Sequence, residues 1–78
     1  MNREEFLKWY SENGIGLTDH SINQINYKFC DMKDGWIGIF EVDSYSGTYT
    51  PKIQAKDMPH AISYCAMREP IPVPIQVL

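Results

Sequence analysis

The sequence lacks three features that would each indicate a class of protein: a long apolar run, a cluster of basic residues and a set of closely spaced cysteines. A membrane-spanning helix needs about 20 consecutive apolar residues, so no such helix is expected. The seven Lys and Arg residues are scattered along a chain of net charge −3, which argues against binding to a polyphosphate backbone. The opening stretch MNREEFLKWYSENG has no apolar core of the signal-peptide kind, so a cytoplasmic location is expected.

The residue types that build metal and catalytic sites are few and dispersed. Cys30 and Cys65 have no CxxC spacing and the sequence has no HxxxH motif, so no metal site and no cofactor is predicted. Asp19 and His20 are adjacent, but nothing in the sequence points to a nucleophile beside them, and GIG lacks the rest of a phosphate-binding loop. We therefore predict no catalytic residue and no enzymatic activity. A reactive Cys30 thiol is the alternative, although in a reducing cytoplasm both thiols are expected to stay free.

What the sequence does contain is enough apolar material for one small folded domain over residues 1–78. Hydrophobic residues make up 44% of the chain, and ten residues are aromatic, with only five glycines and five prolines. This composition is typical of a globular fold rather than a disordered segment. A domain of this length buries only roughly 60% of its unfolded surface, so a thin core and modest stability are expected.

The first predicted element is a helix over residues 3–13. Asn2 and Glu5 have the spacing of a capping box, in which each side chain bonds the backbone of the other residue. The apolar residues that follow recur at intervals of three and four, as on one face of a helix. A left-handed stop at Asn13–Gly14 is expected to end the helix. The segment GIGLTDHSI that follows is interpreted as a connection.

A β-hairpin is predicted over NYKFCDMKDGWIGIFEVD, because Asp34–Gly35 is a preferred pair for a two-residue type I′ turn. Centring the turn there places Phe29 opposite Phe40 and Lys28 opposite Glu41, which are favourable cross-strand pairs. We expect both helices to cover the larger and more aromatic face of this hairpin. That face carries Ile25, Tyr27, Phe29, Trp36, Phe40 and Val42.

The rest of the chain adds a third strand, a second helix and a tail. The strand is predicted over residues 48–55, and the helix after a cap at Asp57, with Cys65 buried. The tail IPVPIQVL alternates apolar residues with prolines, which is typical of an edge strand; a polyproline-like tail is the alternative. In the sheet, this tail is expected to lie beside the first strand and parallel to the third. The predicted fold is α+β in the order α-β-β-β-α-β: an antiparallel three-stranded meander with two helices on one face and a C-terminal edge strand.

Two features of the sequence bear on nucleic-acid binding: the order of the predicted elements and the aromatic residues. The element order α-β-β-β-α resembles that of the double-stranded RNA-binding domain, which grips phosphates through a lysine-rich start of its second helix. The matching stretch QAKDMPHAI has one lysine, so that role is not carried over to this chain. A single-stranded nucleic-acid-binding module that uses aromatic rings and scattered lysines is the alternative hypothesis. Against it, the rings of Tyr27, Phe29, Trp36, Phe40 and Tyr49 are expected to fill the core.

The second face of the hairpin also carries apolar residues, and this is the positive functional signal. An exposed partner-binding surface is predicted there, formed by Cys30, Met32, Ile37 and Ile39 and bordered by the acidic residues Asp31, Asp34 and Glu41. Its apolar part would cover about 200–300 Å², a size at which patches on monomers are often functional. The acidic groups would complement a basic partner. Two alternatives stay open: the connecting loop or the tail covers this face, so that the same residues form a two-sided core, or the face is an ordinary apolar surface.

The function expected from the sequence is therefore protein binding. The chain is interpreted as a small acidic cytosolic module that interacts with a partner protein, or with itself, through the outer face of its sheet. Small acidic single-domain chains without catalytic motifs are common among phage and mobile-element accessory proteins, including inhibitors of host enzymes. On this hypothesis the module modulates or inhibits a host protein.

Overall fold

The computed structural model describes residues 1–67 and the paired backbone of residues 73–74. In that part of the chain, two helices accompany one antiparallel sheet of five strands, which lie side by side in the order in which they follow one another along the chain. The elements are α1 Arg3–Asn13, β1 Gly14–Ile22, β2 Ile25–Met32, β3 Ile37–Asp43, β4 Thr48–Ala55, α2 Met58–Met67 and β5 Val73–Pro74. The predicted α+β class is confirmed. The remainder of the tail lies outside the described residues.

The sheet contains one strand that the sequence did not predict. The segment GIGLTDHSI, interpreted as a connection, is strand β1, and it pairs with β2 through a two-residue turn at Asn23–Gln24. Both turn residues have positive φ, 53° at Asn23 and 65° at Gln24, as a type I′ turn requires. Glutamine is not a preferred residue at positive φ, so this turn is difficult to recognise from the sequence. The element order is therefore α-β-β-β-β-α-β.

The turn between β2 and β3 also differs from the prediction. Gly35 N donates to Met32 O at 3.0 Å and Met32 N donates to Trp36 O at 2.9 Å, which closes a three-residue loop. Within this loop only Gly35 has positive φ, at 92°, so the turn is type I followed by a glycine bulge rather than type I′. The Asp34 carboxylate accepts a hydrogen bond from Trp36 N at 3.0 Å, which favours the longer loop.

One additional loop residue shifts the whole register of the hairpin. Phe29 lies opposite Ile39, and not opposite Phe40 as predicted. Because successive side chains of a strand point to opposite faces, this shift sends Phe40 to the face opposite Phe29. The two faces of the sheet are thus formed by different residues from those expected. Each face carries enough apolar side chains to require a helix packed on it.

The two helices cover opposite faces of the sheet. The buried residues on the α1 side are Phe6, Trp9, Cys30, Met32, Phe40 and Tyr49. The buried residues on the α2 side are Tyr27, Phe29, Ile37, Ile39, Ile53, Ala55, Ala61 and Cys65. The prediction that both helices share one face is wrong, and the core is two-sided. The hairpin carries apolar residues on both faces because both faces are buried.

Helix α1 has the predicted bounds, Arg3–Asn13, but it does not end in the predicted left-handed stop. Glu5 N donates to Asn2 Oδ1 at 2.8 Å and Asn2 N donates to Glu5 Oε1 at 3.0 Å, which completes the capping box. Gly14 has an extended φ of −105° in place of the left-handed stop. The glycine is required by space instead, because a Cβ there would lie 2.3 Å from the Tyr10 ring and 2.7 Å from Cys30 Sγ.

Strand β4 has the predicted bounds, Thr48–Ala55. A bulge within it changes which face of the sheet the side chains beyond the bulge join. The register with β3 skips Lys52, which sends Tyr49 to the α1 side and Ile53 to the α2 side. Strand β5 pairs antiparallel with β4 at the edge of the sheet. The predicted edge position of this segment is therefore confirmed, whereas the predicted parallel placement beside the first strand is wrong.

Two aspartates, Asp43 and Asp57, stabilise the β3–β4 loop and the start of α2 through their carboxylates. Asp43 Oδ1 accepts from Tyr45 N at 2.9 Å and from Ser46 N at 3.4 Å. Asp57 Oδ1 accepts from His60 N at 2.9 Å and lies 2.8 Å from His60 Nδ1. These bonds lower the pKa of both carboxyl groups below the ordinary value of 3.8, because they favour the charged form.

We expect these two carboxylates to make the fold less stable in acid. A group whose pKa is lower in the folded state contributes stability above its unfolded pKa and loses it as the pH falls, here below about pH 4. Urea unfolding between about pH 6 and about pH 3 should show a steeper loss for the wild type than for a variant with Asp43→Asn and Asp57→Asn. Asparagine keeps the oxygen acceptor and does not titrate. Equal slopes would contradict this role.

Candidate interaction edge

The four apolar residues predicted to form a partner-binding surface are all buried. Cys30 and Met32 pack on the α1 side, whereas Ile37 and Ile39 pack on the α2 side. None of the four is more than 7% exposed. The interpretation as one exposed patch is therefore wrong. The physical reason is the register of the hairpin, which divides the four residues between two faces that the helices cover.

The acidic residues predicted around that patch reach the surface at separate places. Asp31 and Asp34 are exposed, at the end of β2 and in the β2–β3 loop. Glu41 is half-buried and forms an ion pair with Lys52, whose Nζ lies 3.7 Å from Glu41 Oε1. The expected pair between Lys28 and Glu41 is absent, because the register places the two residues on opposite faces. A role for these acids in partner binding stays a prediction.

The strand that the sequence did not predict, β1, forms the open edge of the sheet. It pairs with β2 on one side, and no described strand pairs with its other side. None of its nine residues is buried, whereas β2, β3 and β4 each contribute residues to the core. An uncovered edge presents a row of unpaired N–H and C=O groups that can accept another strand.

The register identifies which backbone groups of β1 point outward. Ile22 flanks the two-residue turn and forms a hydrogen-bonded pair with β2, and alternate residues from there back to Gly16 do the same. The residues between them, Leu17, Asp19 and Ser21, therefore direct their N–H and C=O groups away from the sheet. These are the groups that an added strand would pair with.

The opposite edge of the sheet, along β4, is covered at both ends. Tyr49 N donates to Met1 O at 2.7 Å, and Met1 N donates to Tyr49 O at 2.8 Å. Further along the strand, β5 pairs with Ile53 and Gln54. This short strand includes Pro74, and proline has no N–H group to offer to a further strand. Among the described residues, the protein thus covers one edge of its sheet and leaves the other open.

The side chains of β1 change from apolar to polar along the strand. Ile15, at the bulge in the β1–β2 register, is 68% exposed, and Leu17 is 38% exposed. Asp19 follows and forms an ion pair with Lys28, whose Nζ lies 2.5 Å from Asp19 Oδ1. The pair lines an open depression of about 380 Å³ together with Ser21. A strand added at this edge would meet aliphatic groups at one end and polar groups at the other.

Two alternatives raised from the sequence, a reactive thiol and base stacking on aromatic rings, depend on residues that are mostly buried. Burial raises the pKa of the Cys30 and Cys65 thiols to about 11, which disfavours a nucleophilic thiolate at neutral pH. The rings considered for base stacking include Tyr27, Phe29 and Phe40, and all three are buried. Within the described part of the chain, no three His, Cys, Asp or Glu side chains cluster so that they could hold a metal ion.

Neither the described helices nor a relationship to a known protein supplies an assignment. None of the described helices combines the length and apolar character that crossing a bilayer requires. Comparison of the chain with protein-family models, with curated proteins and with solved structures finds no match in any of the three.

Proposed function

We propose that this protein is a protein-binding module that pairs its open edge, strand β1, with an extended segment of a partner protein. The observation that carries the proposal is the contrast between the covered edge along β4 and the open edge along β1. Natural proteins usually blunt an exposed edge with prolines, charges or a covering element, because it otherwise recruits other chains. Strand β1 has no proline, and its one acidic residue, Asp19, is already paired with Lys28.

Strand addition separates affinity from specificity. Main-chain hydrogen bonds supply the affinity, and the side chains at alternate positions select the partner. A partner strand would meet the aliphatic side chains of Ile15 and Leu17 at one end of β1 and the polar side chains of Asp19 and Ser21 at the other.

In the accessory role expected from the sequence, this pairing would modulate or inhibit a host protein by occupying backbone groups that the host protein needs elsewhere. Such inhibition requires no catalytic residue in the module itself. It requires only an edge that stays available while the rest of the domain is folded. The two-sided core beneath α1 and α2 stabilises the domain through residues outside β1, so the edge can stay available.

The proposal is tested by removing one outward N–H group while keeping the fold. Leu17→Pro deletes a donor that points to solvent, an orientation in which edge strands tolerate proline. Nine-residue peptides, matching the length of β1, would be selected from a random display library on the wild-type protein. We expect them to bind Leu17→Pro about tenfold more weakly, because one backbone hydrogen bond is lost and the added strand is displaced.

The matched control is Leu17→Ala, which shortens the side chain and keeps the N–H group; it should retain binding within about threefold. Circular dichroism and urea unfolding establish that each variant is folded. If Leu17→Pro does not fold, Ser21→Pro removes the next outward donor and replaces it in the comparison. Peptides that bind the folded proline variant as tightly as the wild type, or a library without any binder, would overturn strand addition at β1.

A further inference from the structure

We infer that the strand which β1 recruits is β1 of a second copy of this chain, so that two sheets join into one across a two-fold axis. The inference rests on the proposed function and names the partner of the same edge. Its basis is that the outward backbone groups of Leu17 and Asp19 match those of a second β1 in the antiparallel orientation. In such a symmetric contact, if residue i of one copy lies opposite residue j of the other, then j also lies opposite i.

The self-complementary register is centred on Thr18. Thr18 then lies opposite Thr18 of the second copy, and Leu17 lies opposite Asp19 of the second copy. The outward backbone groups of Leu17 in each copy are thereby paired with those of Asp19 in the other. Thr18 occupies a non-hydrogen-bonded position toward the new strand, where opposite Cα atoms come within about 4.5 Å. Threonine pairs at opposite positions of two strands are favourable.

Charge and shape favour this register over its neighbours. A register centred on Asp19 would place two carboxylates opposite each other, which is destabilising. A register centred on Leu17 would move the bulge at the start of β1 toward the middle of the paired region, where it disrupts the ladder. Centred on Thr18, the register sets Gly16 opposite His20 of the second copy. Glycine has no side chain, so the imidazole can keep its contact with Phe29, at 4.3 Å between ring centroids.

The covered edge along β4 limits this assembly to two copies. Met1 pairs with Tyr49, and β5 pairs with the other end of β4. A sheet that is open at both edges can add copies without limit, whereas one covered edge in each copy leaves nothing to pair with once the two open edges meet. The expected product is therefore a closed dimer rather than a fibre.

Thr18→Cys tests the register directly. In the dimer the two introduced thiols face each other across the two-fold axis, at a spacing that a disulfide can span. We expect mild oxidation to convert most of this variant to a covalent dimer. Ser21→Cys is the matched control on the same exposed strand. It lies opposite Ile15 of the second copy, so it should crosslink about tenfold more slowly. The native thiols are buried and do not compete.

Sedimentation velocity over a concentration series provides a second measurement. The wild type should form a dimer as its concentration rises, and folded Leu17→Pro should stay monomeric. Equal crosslinking rates for Thr18→Cys and Ser21→Cys, or a wild type that is monomeric at every concentration, would overturn self-pairing. Selected peptides that bind at β1 would in that case still support the proposed function, whereas the absence of both dimer and bound peptides would overturn both.

Discussion

Replacing Phe40 with alanine is expected to lower the free energy of unfolding by about 3–5 kcal/mol. Phe40 is fully buried, and its ring meets Phe6 and Trp9 edge-on, with centroid distances of 5.0 Å and 4.8 Å. Its removal leaves a cavity between α1 and the sheet that the neighbouring rings fill only in part. Urea unfolding followed by tryptophan fluorescence measures the loss. Tyr45→Ala is the control at a fully exposed ring and should change stability by less than about 0.5 kcal/mol.

Substitution of Phe40 together with Phe29 distinguishes the observed register of the hairpin from the predicted one. Phe29 and Phe40 lie on opposite faces of the sheet and belong to separate clusters. The milder changes Phe29→Leu and Phe40→Leu should therefore destabilise additively, within about 0.5 kcal/mol. The predicted pairing would have placed the two rings directly opposite each other on one face, where they would couple. A coupling energy above about 1 kcal/mol in the double-mutant cycle would contradict the two-sided core.

Elements with strong short-range signals could be predicted from the sequence. Helix α1 begins with the capping box of Asn2 and Glu5 and spans the predicted residues, and β4 has the predicted bounds. Helix α2 follows the cap at Asp57, and Cys65 is buried as expected. Each of these signals is contained in a few consecutive residues, so it does not depend on how distant parts of the chain pack.

The candidate site depends on two turns that the sequence leaves ambiguous. Asp34–Gly35 suits a two-residue or a three-residue loop, and the choice decides which face every side chain of β3 joins. Asn23–Gln24 contains one typical turn residue, and the exposed strand before it lacks the alternation of a half-buried strand. The best sequence signal for β1 is indirect. Pairing across Asn23–Gln24 sets Asp19 opposite Lys28, which is an ion pair in the structure.

Ile39→Asp is expected to unfold the protein. The sequence predicted Ile39 on an exposed patch, where a charge would block binding and leave the fold intact. The side chain is instead fully buried on the α2 side, in one cluster with Phe29 and Ile53. A buried carboxylate without a partner costs several kcal/mol, against a total stability of roughly 4–12 kcal/mol for a chain of this length. Circular dichroism and the dispersion of amide resonances would report the loss of structure.

Leu17→Asp is the matched control, because it introduces the same charge on the open edge. It should stay folded and lose self-pairing instead, since the register sets residue 17 opposite Asp19 of the second copy and like charges repel there. The two variants therefore separate the faces that build the domain from the edge that binds. If the Ile39→Asp variant stayed folded and lost binding to its partner strand, the interaction site would instead lie on the face of the sheet. That result would also contradict the two-sided core that leaves β1 as the uncovered edge among the described residues.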